Sequence, residues 1–162
     1  MPYPYQLAPQ DAALGEVLAL IKSAFAFMDG RVDPPSTATT LTAEDLRRHA
    51  TEGEVWAVGH PVVACMILTP KPPALYLGKL AVAAERRHEG LARLLIDLAE
   101  DRARDLGLEW VELGTRVELS ENQTAFTAMG FAEAMRECHP GFDRPTSIVY
   151  RRPVPTEKGD RP

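Results

Sequence analysis

Between Lys79 and Gly107 the chain changes its hydrophobic period once, from strand to helix, and that change constrains the fold more than any other stretch. Leu80, Ala81 and Val82 finish an apolar run of the kind a buried strand needs. From Leu91 the apolar positions Leu91, Leu94, Leu95 and Leu98 recur at helical spacing. Gly107 then stops the helix. Between strand and helix lie Arg86, Arg87, His88, Glu89 and Gly90, so the helix opens with unpaired amides and the positive end of its dipole facing a basic loop. Such a junction favours a phosphate or diphosphate. Gly90 and Ala92 keep the approach to that backbone low.

The remaining elements fall into place around this junction. Residues 3–7 predict a strand, and Leu14, Val17, Leu18, Ile21, Phe25 and Met28 mark one face of a helix from near Asp11 to about Met28. Residues 29–40, DGRVDPPSTATT, predict a long loop. Leu41 and Leu46 flank Thr42 as a hydrophobic staple, with Asp45 at the capping-box position of a short helix reaching about Ala50. Residues 54–58 and 62–68 predict a hairpin, its second strand apolar on both faces and therefore central. Pro70, Pro72 and Pro73 precede the strand 75–82 that feeds the basic turn. The helix 90–106 carries Glu100 and Arg104 as an i, i+4 pair, expected on its wet face. Residues 110–115 should run parallel to the preceding strand through a right-handed crossover. Ser120 and Gln123 predict a capping box for a helix ending at Gly130, followed by strands over 131–137 and 147–151. The order β, α, α, β, β, β, α, β, α, β, β describes an α/β (mixed α+β) chain with a central mixed sheet and helices on both faces. One domain over 1–152 is expected, with the polar, proline-rich residues 153–162 disordered.

Charge narrows the partners. The 18 basic and 23 acidic residues leave a net charge of −5, which argues against general nucleic-acid binding. A local cluster of Lys79, Arg86, Arg87, His88 and Arg93 inside an acidic chain instead points to one small anionic ligand. Cys65 and Cys138 form neither a disulfide framework nor a metal-spaced pair, and His49, His60, His88 and His139 are scattered without ligand spacing, so no metal is expected. No leader or spanning segment is read, and a cytoplasmic protein without a membrane partner is the expectation. The oligomeric state stays open, a homodimer being one admissible assembly.

The spacing Val82-x-x-x-x-Arg87-x-x-Gly90-x-Ala92, placed between a strand and an amphipathic helix, resembles the acyl-coenzyme A signature of the GNAT superfamily of N-acetyltransferases. The stretch Asn122-x-x-Ala125-Phe126-x-x-x-Gly130-Phe131 resembles the family's second motif, and the element order is similar from about residue 3 to 152. The resemblance implies a mostly antiparallel sheet of about seven strands in which one parallel pair splays apart. It also implies acetyl-coenzyme A as co-substrate and an amine as acceptor. Leu80, Ala81, Val82, Arg87, His88, Glu89, Gly90, Leu91, Ala92, Asn122 and Phe126 are the expected coenzyme residues. Arg31, Asp33 and Arg144 lie in the loops that the family places over the acceptor.

One position departs from the pattern. Many members carry a tyrosine four residues before the Gly-Phe pair, whose hydroxyl protonates the departing thiolate; here it is Phe126. Tyr76, Cys138, His139 and Tyr150 are candidate replacements. Glu112, Glu118 and Glu54 are candidate bases, with Glu118 preferred because it follows the parallel strand at the carboxyl edge, where ligands bind in α/β sheets. Glu118, His139 and Tyr76 are thus the catalytic residues expected. The missing hydroxyl also admits a rival, a domain that binds coenzyme A without turning it over.

Overall fold

The computed structural model describes residues 3–156 and contains seven strands: β1 (Tyr5–Leu7), β2 (Glu54–Val58), β3 (Ala64–Lys71), β4 (Ala74–Val82), β5 (Trp110–Arg116), β6 (Ala132–Glu137) and β7 (Ser147–Pro153). They form one sheet in the order β1-β2-β3-β4-β5-β7-β6. Every neighbouring pair is antiparallel except β4 and β5. The helices are α1 (Leu14–Phe25), α2 (Ala43–Glu52), α3 (Leu91–Asp105) and α4 (Ser120–Ala128). Among the described residues no helix is long and apolar enough to cross a membrane.

β3 is apolar on both faces because both are covered. Ala64, Met66 and Leu68 pack with Leu95, Ile96 and Ala99 of α3, whereas Cys65 and Ile67 join Val17 and Ile21 of α1 and Leu46 of α2 on the opposite side. Fully burying a Leu or Ile side chain contributes roughly 2 kcal/mol, so the helices are held chiefly by these stripes. Helix α2 starts as its sequence requires: Asp45 N donates to Thr42 Oγ1 at 3.1 Å, and Thr42 N donates to the Asp45 carboxylate at 2.9 Å. The first helix is shorter than its apolar face suggests, since a 3-10 turn over Ala26–Met28 replaces its last turn.

Two expectations change. Helix α4 has no capping box: Leu119 occupies the N-cap, 1% exposed and packed with Met28 and Val32, so burial rather than a hydroxyl sets the helix start. Gln123 Nε2 donates instead to Val117 O at 3.0 Å. The Glu100–Arg104 pair does not face water, its side chains being 12% and 16% exposed. The end of the chain covers it: Arg104 Nε donates to Pro155 O at 2.8 Å, and Arg152 lies 3.5 Å from both Asp97 and Glu100. Strand β7 accordingly runs to Pro153, and Val154 N donates to Glu109 O. The rest of the tail expected to be disordered, residues 157–162, lies outside the described residues.

Two irregularities position the site. β4 carries a bulge against β3, where the register passes from Cys65↔Ala81 to Ile67↔Gly78 and Lys79 takes φ 51. One extra residue reverses the alternation beyond it. Before the bulge Leu75 and Leu77 face α3; after it Leu80 and Val82 do, while Ala81 faces α1. Gly78 and Lys79 therefore both open on the side away from α3. The second irregularity is the parallel ladder, which stops at Tyr76↔Glu112 although both strands run on, over residues 77–82 and 113–116.

Candidate functional site

The gap between β4 and β5 opens into a cavity of about 1000 Å³ that continues to the N-terminus of α3. Gly90 is the N-cap of that helix, with φ +82, and a Cβ on it would meet nothing within 4 Å. The first-turn amides of α3 thus face open space, with Arg87, His88 and Arg93 among the walls. Arg86 is held by Glu89 at 2.9 Å, while among the described residues no carboxylate pairs with Arg87 or Arg93. A polyanion fits this end. The unpaired edge of β4 at residues 80–82 offers backbone groups to an extended amide-bearing chain, as a sheet edge does to an added strand. A diphosphate joined to an amide-containing arm therefore matches both halves of the cavity.

On the face away from α3 the strand ends bring chemistry together. Tyr76 occupies the last paired position of β4, at the foot of the gap. Its hydroxyl stands beside Gly114, where an added Cβ would lie 3.3 Å from it, so the absence of a side chain on β5 makes room for the phenol. Burial, then the charges of Glu112 and Glu137, raise the Tyr76 pKa above 10.0, and the group holds its proton at neutral pH. Glu112 accepts from Arg151 Nε at 2.9 Å. His139 lines the same space. Its Nδ1 is 2.5 Å from Thr146 Oγ1, which also accepts from the His139 amide at 2.9 Å. Burial and the nearby Arg116 charge lower the His139 pKa below 6.5, which favours the neutral imidazole.

Of the residues expected from sequence, the cavity gathers Tyr76, His139, Leu80, Ala81, Val82, Arg87, His88, Gly90, Leu91, Ala92, Asn122 and Phe126. Asn122 Nδ2 donates to Thr115 Oγ1 at 3.3 Å, and Phe126 sets its ring edge-on to Tyr150 at 5.9 Å. Others are placed elsewhere. Glu118 is not among the lining residues: it accepts from Asp33 N at 3.1 Å and so anchors the loop between α1 and α2. Glu89 is turned to Arg86, and Glu54 to Arg102 at 2.7 Å. Arg31 grips Glu121 with two bonds of 2.9 Å and Arg144 reaches Asp33 at 3.2 Å, ion pairs that tie the α1–α2 loop to helix α4 and to the β6–β7 loop beside the cavity without lining it. Neither Cys138 nor Tyr150 lines it either.

Sequence reasoning missed three contributors. Arg116, 7% exposed, donates to Pro34 O and Pro35 O and so clamps the long loop onto the cavity rim. Glu137, at the end of β6, faces the Tyr76 side. Gly114 is the third, and it did leave a signal, since a glycine inside an apolar strand marks a close approach.

The matched family model is that of the acetyltransferase (GNAT) family, over residues 19–131. No curated protein matches the chain by sequence. Its fold is shared by the ribosomal-protein-S18-alanine N-acetyltransferase of Escherichia coli, at 17% identity over 99% of this chain and 97% of that one, with a TM-score of 0.69. An acetyltransferase of the GNAT family from Staphylococcus aureus matches at 16% identity, covering 94% and 100%, with a TM-score of 0.71. The PaiA N-acetyltransferase of Thermoplasma acidophilum, solved in complex with coenzyme A, matches at 12% identity over 94% and 99%, with a TM-score of 0.74. The family model spans well over half the chain, and these solved structures share its fold. The chain belongs to the acetyltransferase (GNAT) family.

Proposed function

We propose that this protein transfers the acetyl group of acetyl-coenzyme A directly to the amine of a small molecule or peptide. The observation that carries this reading is the interrupted β4–β5 ladder, open beside a helix N-terminus whose Gly90 leaves the amides uncovered. The amides of residues 90–92 bind the diphosphate, with Arg87 and His88 beside it, and the edge of β4 at residues 80–82 pairs with the pantetheine arm. An N–H near Val82 polarises the thioester carbonyl as its oxygen gains charge. Holding amine and thioester within reacting distance supplies most of the acceleration.

His139 is the base. Its neutral imidazole takes one proton from the bound ammonium, which frees the nitrogen lone pair for attack, and Thr146 fixes the ring. The amine nitrogen bonds to the carbonyl carbon, the tetrahedral intermediate collapses, and the C–S bond breaks. Tyr76 donates its proton to the leaving thiolate, the task that Phe126 lacks a hydroxyl to perform, and the second proton shed by the acylated nitrogen returns through solvent to the Tyr76 phenolate. No cysteine lines the cavity, which supports direct attack over a cysteinyl intermediate.

The test is release of free coenzyme A thiol from acetyl-coenzyme A across a panel of amines and peptides, alongside melting curves with acetyl-coenzyme A and with ATP. Turnover with at least one amine, and a larger rise in Tm with the thioester, is the expected result. A rise in Tm without thiol release from any amine would turn the reading to a coenzyme-binding module. Equal stabilisation by ATP would remove the coenzyme altogether.

A further inference from the structure

A second cavity, of about 410 Å³, lies between α2 and the β3–β4 hairpin, and it has four walls in common with the large one: Thr37, Tyr76, Gly78 and Lys79. The bulge that turns Lys79 onto this face makes the junction. The new lobe has a basic lining. Arg48, His49 and Lys79 face it against a single carboxylate, Asp45, and Thr40 and Thr69 add hydroxyls. Asp45 is already engaged by the Thr42 amide at 2.9 Å and by Arg48 at 3.1 Å.

Lys79 is the least satisfied cation of the group. Its ammonium donates to Thr37 Oγ1 and lies 5.8 Å from the Phe25 ring centroid, and among the described residues no carboxylate pairs with it. Elsewhere Arg102 is paired with Glu54 and Arg151 with Glu112, while Arg116 is held by two backbone carbonyls. One hydroxyl partner leaves two of the three ammonium N–H donors of this half-buried group free for an anion. The three basic groups also share one space: burial first, then the charge of Arg48 and, against Asp45 and Glu52, that of Lys79, lower the His49 pKa, so that His49 lines the lobe as a neutral imidazole beside two cations. Across the junction the sign changes, where Glu112 and Glu137 stand on the Tyr76 side of the large cavity.

We propose that the lobe bounded by Arg48, His49 and Lys79 holds an anionic group of the acceptor, a carboxylate or phosphate, so that the enzyme acts on small amines carrying both charges. The inference rests on the N-acetyltransferase reading of the larger cavity. The ammonium end enters beside Glu137 and Tyr76, the anion seats between α2 and β4, and the amine is presented to the thioester with a fixed orientation. Amines without an anion lack the second anchor and bind weakly.

The experiment measures thiol release from acetyl-coenzyme A with matched pairs: α-amino acids against their methyl esters, and aminoalkyl phosphates against the parent amino alcohols. A kcat/KM at least about tenfold higher for one anionic series is the expected result, and whichever series responds identifies the anion. Arg48→Ala brings that ratio towards one by raising KM for the anionic member, with KM for acetyl-coenzyme A unmoved, and Arg48→Glu inverts the preference. Equal use of both members of every pair overturns the inference and leaves the acetyl-transfer reading standing. Where no amine is turned over, calorimetry of the coenzyme A complex decides: heat with the free acid but not its ester upholds the anion lobe while the transferase reading falls, and no heat with either overturns the lobe.

Discussion

Strand β5 has two neighbours and treats them differently. With β7 it is paired along its whole length, from Trp110↔Pro153 to Arg116↔Ser147. With β4 it is paired only at Ala74↔Trp110, Leu75↔Val111 and Tyr76↔Glu112. The closed seam satisfies its backbone groups internally and contributes to stability. The open seam leaves donors and acceptors facing a cavity, and unpaired polar groups of this kind await a partner. The proposed site is a ladder left unfinished, next to one completed to hold it in place.

The comparison can be broken from either side. The largest effect is expected on the closed seam: Ile148→Ala in β7, at a side chain 1% exposed, should cost about 3 kcal/mol and lower Tm by roughly 6–12 °C. Coenzyme affinity of the folded fraction should hold, and a matching loss of affinity would show that the two seams are not separable. On the open seam, Gly90→Asp keeps a residue type that tolerates positive φ but sets a carboxylate before the diphosphate; binding should weaken about 100-fold, or about 2.7 kcal/mol, with the melting curve little changed. Unaltered affinity in calorimetry would place the diphosphate elsewhere.

Smaller effects sharpen the chemistry within the gap. Tyr76→Phe should lower kcat about tenfold with KM for acetyl-coenzyme A unchanged, since only the transition state uses the proton. An equal kcat in that variant would give the acid role to another group. For His139 the sign follows from its lowered pKa: the neutral base persists to below pH 6.5, so activity should fall only as pH drops through that lowered value. His139→Ala should abolish this acidic limb in the kcat/KM profile, and a limb that survives would assign it to a carboxylate such as Glu112 or Glu137.

Much of the architecture was legible from local pattern. The switch of period around Gly90 located β4, α3 and the basic end of the cavity, because a helix N-terminus carries its electrostatics in the backbone, wherever the chain places it. Thr42 and Asp45 gave the start of α2 for the same local reason. The start of α4 escaped, since Leu119 is held by Met28 and Val32, contacts made far along the chain. Glu118 looked suited to catalysis from its place after β5, yet its carboxylate accepts from Asp33, a contact between residues 85 apart in sequence. Sequence did not rank Tyr76 among Cys138, His139 and Tyr150, because Gly114, which makes room for its hydroxyl, lies on another strand.

The amino-acid sequence by itself determined the periods, the turns and hence the order of strands and helices, because these follow from interactions within a few residues of each other. Which ladder closes and which stays open was decided only in three dimensions. So was the face on which Lys79 emerges, set by one extra residue in β4 relative to β3. Both depend on register between strands, across the α3 crossover for β4 and β5 and along the hairpin for β3 and β4, and register is fixed by how the two cores pack against the two faces of the sheet.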